Sequence, residues 1–148
     1  MSRIIPHILH WACRLFLGGI FIYAGYTKVG NPLQFAAAVE AYQLLSPNLV
    51  IWVVKILPWL EIILGILLVL GILIRYTAGF AGALLLFFVS VMLVTFLRGI
   101  EADCGCFGLG DKISIFTLGR HALFILPALF LVVQPWMESC RRLQRPDQ

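Results

Sequence analysis

Charge is what this sequence has least of. Acidic and basic side chains together make up 12% of its 148 residues, against 61% that are hydrophobic. A soluble domain carries about a quarter charged residues, so with a mean hydropathy of +0.99 a soluble globular fold is excluded. The chain also lacks a polar second domain, a low-complexity run and a convincing internal repeat. Its net charge of +4 is not the footprint of a nucleic-acid binder. The basic residues are scattered at the ends of apolar runs and cluster only at Arg141, Arg142 and Arg145. Such a cluster beside a span marks the cytoplasmic side and its anionic lipids. A disulfide framework is missing too. Of the four cysteines, Cys13 lies inside the first apolar run and Cys140 beyond the last, and only Cys104 and Cys106 share a loop.

What remains is apolar sequence long enough for four spans, at roughly 20 residues each. The expected fold is all-α, one polytopic membrane four-helix bundle over residues 1–148, with spans near 6–26, 49–74, 76–97 and 115–133. The N-terminus has the basic start of a signal peptide at Arg3, but Arg14 interrupts its apolar run and no small-residue cleavage site follows Ala24. A retained first helix is the reading. Pro6 suits its first turn, and His7 and His10 read as interfacial polar residues.

In that span Arg14, Gly18, Gly25 and Lys28 recur at helical spacing and share one face. The glycines let a neighbouring helix approach, and Arg14 is expected to point into the bundle. Asn31 and Pro32 have the pattern of an N-cap and first helical residue. The stretch 33–45 is too short to span and reads as an interfacial helix lidding the bundle. Ser46-Pro47-Asn48 is the next turn. In span two Pro58 should kink the helix, and Glu61 sits deep in the membrane, where a carboxylate must be paired or neutral. Counting from the cytoplasmic ends at ~1.5 Å per residue puts Arg14 about 14 Å deep and Glu61 about 20 Å. Arg14 is therefore the expected partner of Glu61, fixing register or handling protons. Gly79, Gly82 and Ala83 in span three are packing residues, and Ser90 and Thr95 should bond back to helix carbonyls. Gln134-Pro135-Trp136 is expected to end span four.

The main break in this apolar chain is the loop 98–114, which carries Asp103-Cys104-Gly105-Cys106-Phe107-Gly108. Lysines and arginines near the span ends put both termini inside and this loop outside, facing the periplasm in a bacterium. That compartment is oxidising, and a dithiol can cycle there. A disulfide across one residue closes a small, strained and easily reduced ring. Arg98, Lys112, Arg120 and a protonated His121 would favour thiolate, while Glu101 and Asp103 oppose it. Thiol–disulfide exchange competes here with a metal site, for which Asp103 and His121 are the only nearby additional ligands, and with a structural staple, which so short a ring makes weak.

The face Arg14…Gly18-Gly19…Gly25…Lys28, the pair Glu61…Gly65 and above all Asp103-Cys104-Gly105-Cys106-Phe107-Gly108 resemble the DoxX-like membrane proteins, specifically their MauE branch. The resemblance covers nearly the whole chain. It implies a four-helix bacterial inner-membrane protein of methylamine utilisation. Such a protein would serve maturation of the disulfide-rich small subunit of methylamine dehydrogenase, beside a periplasmic thioredoxin-like partner. It makes Cys104 and Cys106 the redox pair, and Arg14, Lys28 and Glu61 the family's polar membrane residues. A quinone as cofactor is an architectural analogy with other four-helix redox proteins, with Tyr26, Lys28, Trp59 and His121 as candidate contacts. Two other functions fit the same residues. A non-enzymatic anchor would stabilise a redox partner through its small-residue faces. A small transporter would line a polar path with Arg14, Lys28 and Glu61, and would need a homo-oligomer to widen its interior.

Overall fold

The computed structural model describes residues 4–100, 102–104 and 112–143, with side chains over 8–100, 102–104 and 112–133. Cys106, its flanking glycines, Glu101 and Arg145, and the side chains of His7, Cys140, Arg141 and Arg142, lie outside the described residues. Those described form five helices: α1 (Ile4–Gly30), α2 (Pro32–Ala41), α3 (Pro47–Leu70), α4 (Ile74–Leu97) and α5 (Ile115–Leu143). Four of them contain apolar windows long enough to cross a bilayer, Ile8–Gly30, Pro47–Leu70, Ile74–Leu97 and Ile115–Val133. The all-α membrane bundle is thus the fold.

α1 packs chiefly on α3 and α4 on α5, and the α1–α5 and α3–α4 contacts close the ring. Leu17, Phe21, Leu64, Leu68, Ala81, Leu85, Ala128 and Leu131 fill its centre. Large apolar residues such as Trp11, Phe16, Phe87 and Leu126 face outward, as lipid contact requires. Lipid removes the hydrophobic drive between helices, so close packing must hold them. At the α1–α3 seam it does so through glycine. A Cβ on Gly65 would come 2.7 Å from the Gly18 carbonyl, and one on Gly25 would come 2.6 Å from that of Pro58. Between α4 and α5, Gly82 lies against Ala128, while Ala83, expected at that seam, is exposed.

Helix ends depart from the sequence reading in α2, α3 and α5, and α2 already closes at Ala41 rather than at residue 45. α3 stops at Leu70 because Gly71 turns left-handed (φ 73°). The Gly71 N–H bonds to the Leu68 carbonyl and the Ile72 N–H to that of Leu67, a Schellman closure. α5, expected to end at Gln134-Pro135-Trp136, instead runs through Pro135 to Leu143. The apolar window does end at Val133, but Met137, Glu138, Arg141 and Arg142 are good helix formers, so the helix outlasts the hydrophobic stretch. α3 likewise continues through Pro58. Ser90 and Thr95 donate to the carbonyls of Leu86 and Val91 as the sequence suggests.

The start of α1, the 71–73 turn and the end of α5 lie at one end of the bundle. α2 and the stem of the Cys loop lie at the other. α2 begins at Asn31 with Pro32 in its first turn, although the Asn31 side chain makes no capping bond. It lays Phe35 and Val39 against Val50 of α3 and so covers that end.

Candidate functional site

At the covered end, the Lys28 Nζ donates to both carboxylate oxygens of Glu61, at 2.7 and 2.8 Å, with both side chains 3% exposed. A buried ion pair is tolerable in lipid when each charge is met by the other. Lys28, not Arg14, is therefore the partner of Glu61. The register explains the correction. With Gly18 against Gly65 and Gly25 against Pro58, Arg14 comes level with Gly71. Ten residues of α3 separate Gly71 from Glu61, about 15 Å of helix. Arg14 instead donates through Nε to the Leu68 carbonyl (3.2 Å) and through Nη2 to that of Val69 (2.8 Å), and stacks on Trp11 at 4.3 Å. It supplies hydrogen bonds and positive charge where the last carbonyls of α3 lack helical partners. Arg14, Lys28 and Glu61 consequently form two separate arrangements at opposite ends of the α1–α3 seam and do not line one polar path.

The Cys loop is gripped at its stem. Asp103 and Lys112 form an antiparallel bridge, and the Ile113 N–H donates to the Ala102 carbonyl at 3.0 Å. On the outgoing side, Ser114 caps α5 by accepting the Thr117 N–H at 3.2 Å. The Thr117 hydroxyl donates to the Lys112 carbonyl at 3.0 Å. From across the bundle end, the Tyr42 hydroxyl donates to the Cys104 carbonyl at 2.7 Å. Cys104 is 4% exposed and packs with Met92, Ile113 and Leu118. The sequence reading presents both thiols to the aqueous side, whereas Cys104 is covered by Met92 of α4, Ile113 of the loop stem and Leu118 of α5. The sequence carried no signal for this, because the cover comes from two neighbouring helices and the tie to the Cys104 carbonyl from a tyrosine 62 positions upstream.

Cys104 and Lys28 share a cavity of about 540 Å³ between α2, α3 and α4. Phe35, Trp52, Phe87, Phe88, Val91 and Met92 supply much of its wall, and Tyr42 closes it beside Cys104. The rings of Phe35 and Phe88 stand 5.4 and 5.8 Å from the Lys28 ammonium, close enough for cation–π attraction. His121 is not among the lining residues. It is buried on α5, its Nδ1 2.8 Å from the Thr117 carbonyl and its ring against Phe124. A carbonyl only accepts, so Nδ1 carries the proton of that bond. Tyr26 and Trp59 point outward, 71% and 59% exposed. Of the candidate contacts named from sequence, the structure brings Lys28 alone to the cavity. Phe35, Tyr42, Trp52 and Phe88 were missed there, since their convergence depends on how α2 docks.

Comparison with known proteins agrees with this architecture. The family model described as "Methylamine utilisation protein MauE" matches residues 6–134. The methylamine utilization protein MauE of Paracoccus denitrificans is 34% identical over 134 residues, covering 88% of this chain and 70% of the relative. That of Paracoccus versutus is 33% identical, covering 82% and 67%, and that of Methylorubrum extorquens is 33% identical, covering 88% and 72%. No solved structure matches the chain. On the family model and these relatives, together with four apolar helices in one bundle, this chain belongs to the MauE family of membrane proteins.

Proposed function

We propose that this protein is an inner-membrane thiol–disulfide redox protein of methylamine utilisation. Its Cys104/Cys106 pair exchanges electrons with a periplasmic thioredoxin-like partner during maturation of a disulfide-rich protein such as methylamine dehydrogenase. Both termini are then cytoplasmic and the Cys loop periplasmic. The observation that carries this reading is the grip on the loop. A bridge at Asp103–Lys112 and a bond from Tyr42 fix the residue that bears one thiol, and the spacing puts the second thiol two residues on.

Burial then divides the labour between the sulfurs. An incoming thiolate must reach the sulfur it attacks, and Cys104 is covered. Cys106 therefore forms the mixed disulfide with the partner, and Cys104 is the thiolate that leaves when a reduced partner attacks the ring. The test is trapping in cells carrying the thioredoxin-like protein. Cys104→Ser should accumulate a mixed disulfide through Cys106, and Cys106→Ser should accumulate none. Undiminished substrate maturation in both variants would overturn the redox reading and leave the protein as an anchor for its partner. A membrane-impermeant thiol reagent checks sidedness, and protection of a reduced Cys106 in intact spheroplasts would count against a periplasmic loop.

A further inference from the structure

The cavity shared by Lys28 and Cys104 has a chemistry of its own. Its wall is almost wholly apolar, and among the described residues lining it Lys28 alone is charged. Trp52, Ile56 and Phe87 at its margin are more than half exposed, on surfaces that face lipid in a bundle of this kind. An occupant therefore enters from the bilayer and is itself lipophilic. The volume falls within the roughly 300–1,000 Å³ typical of small-molecule sites.

The ammonium narrows the class further. Glu61 takes two of its three donors, and no other described residue is bonded to the third. Because the Lys28–Glu61 pair is neutral as a unit, it holds no net charge to draw in an anion. It offers one buried hydrogen-bond donor, which suits a neutral carbonyl oxygen. A saturated acyl chain would fill the space and leave that donor unmet, at a cost. Phe35, Trp52 and Phe88 supply faces for a flat ring. On the same wall is a cysteine, so the ring lies beside a redox group.

We infer that this cavity binds a lipid-soluble quinone, one carbonyl accepting from Lys28 and the ring held among Phe35, Trp52 and Phe88. The site stands on geometry; its role in electron transfer rests on the thiol–disulfide reading above. In that role the quinone is the oxidant. Closing the S–S bond between Cys104 and Cys106 releases two electrons and two protons, and the quinone takes up both to become a quinol. The disulfide so formed is strained and hence oxidising, and it returns to the dithiol by accepting two electrons and two protons from a reduced thioredoxin-like partner.

The experiment uses the full chain in nanodiscs of quinone-free lipid, titrated with decylubiquinone and, in a parallel arm, with menadione. Binding is read by calorimetry, and the position by cross-linking an azido-quinone analogue and mapping the label. Saturable binding with label on α2, α3 and α4 is expected. Val91→Trp, which fills the cavity, and the double variant Lys28→Met with Glu61→Met, which removes the donor without stranding a charge, should each weaken binding by about tenfold or more, the worth of a hydrogen bond to a charged group. Circular dichroism melts confirm that each variant is folded. Gly19→Ala, outside the cavity and touching nothing, should bind quinone as the unaltered protein does. Non-saturable binding, label spread evenly over all helices, or equal affinity in both cavity variants overturns the quinone site and leaves the trapped mixed disulfide standing. Saturable binding without reduction of bound quinone by the dithiol form keeps the site and removes the redox reading instead.

Discussion

Arg14 and Gly71 meet across the α1–α3 seam so closely that a Cβ on Gly71 would fall on the guanidinium. The same glycine holds the left-handed turn (φ 73°) that ends α3, so it is constrained twice. Gly71→Ala should destabilise the bundle by more than about 1 kcal/mol from the backbone conformation alone, with a further loss from the displaced arginine. Combined with Arg14→Leu, the alanine should cost less than it does alone, because one of its two conflicts is gone. Thermal unfolding of the four proteins in detergent, arranged as a double-mutant cycle, measures this, and strict additivity would contradict it.

Lys28 and Glu61 should behave as one unit. Removing either partner leaves a lone charge in a dry interior, which typically costs about 3–5 kcal/mol. Lys28→Met and Glu61→Met should each lower the unfolding midpoint strongly, and the double variant should lie nearer the unaltered protein than either single one. Arg14→Leu combined with Glu61→Met should show no such recovery, since those two side chains do not meet.

Gly65 on the seam face of α3 and Gly19 on the open face of α1 give a contrast. Gly65→Ala puts a methyl within 2.6–2.8 Å of Ile22 and Gly18 and should force α1 and α3 apart. Gly19 has nothing within 4 Å of the equivalent position. Gly19→Ala should therefore be neutral or stabilise by about 0.4–1 kcal/mol. Parallel melts that rank the two variants the other way would refute the packing described.

Which of these relationships the sequence disclosed follows from their range. The four spans were legible because lipid demands long apolar runs, and the glycine face of α1 because a helix repeats every 3.6 residues. The partner of Glu61 was not. Depth counted from a supposed membrane edge carried an error of several residues, enough to exchange Arg14 for Lys28, and only the contacts of Gly18 and Gly25 set the register. The Cys loop was legible as the main break in the apolar chain, with Cys-Gly-Cys the motif on which the redox proposal rests. The burial of Cys104 comes from Met92, Ile113 and Leu118, and the cavity beside it from α2 folding back over α3, tertiary events with no local signature.

That fold-back can be tested at Tyr42. Its hydroxyl holds the Cys104 carbonyl at 2.7 Å, while its ring lines the cavity with or without the oxygen. Tyr42→Phe removes one hydrogen bond, worth about 0.5–1.5 kcal/mol, and preserves the packing. The bundle should melt almost unchanged, because α2 still buries Phe35 and Val39 against α3. The stem of the loop, however, loses its tie to α2, and the covered state of Cys104 becomes less favoured by the same energy. In a Cys106→Ser background the alkylation rate of Cys104 by a small maleimide should rise by about twofold to tenfold on adding Tyr42→Phe, that energy expressed as a ratio. An unchanged rate would mean that α4, α5 and the loop stem cover the sulfur without help from Tyr42, and that the tyrosine serves the cavity alone.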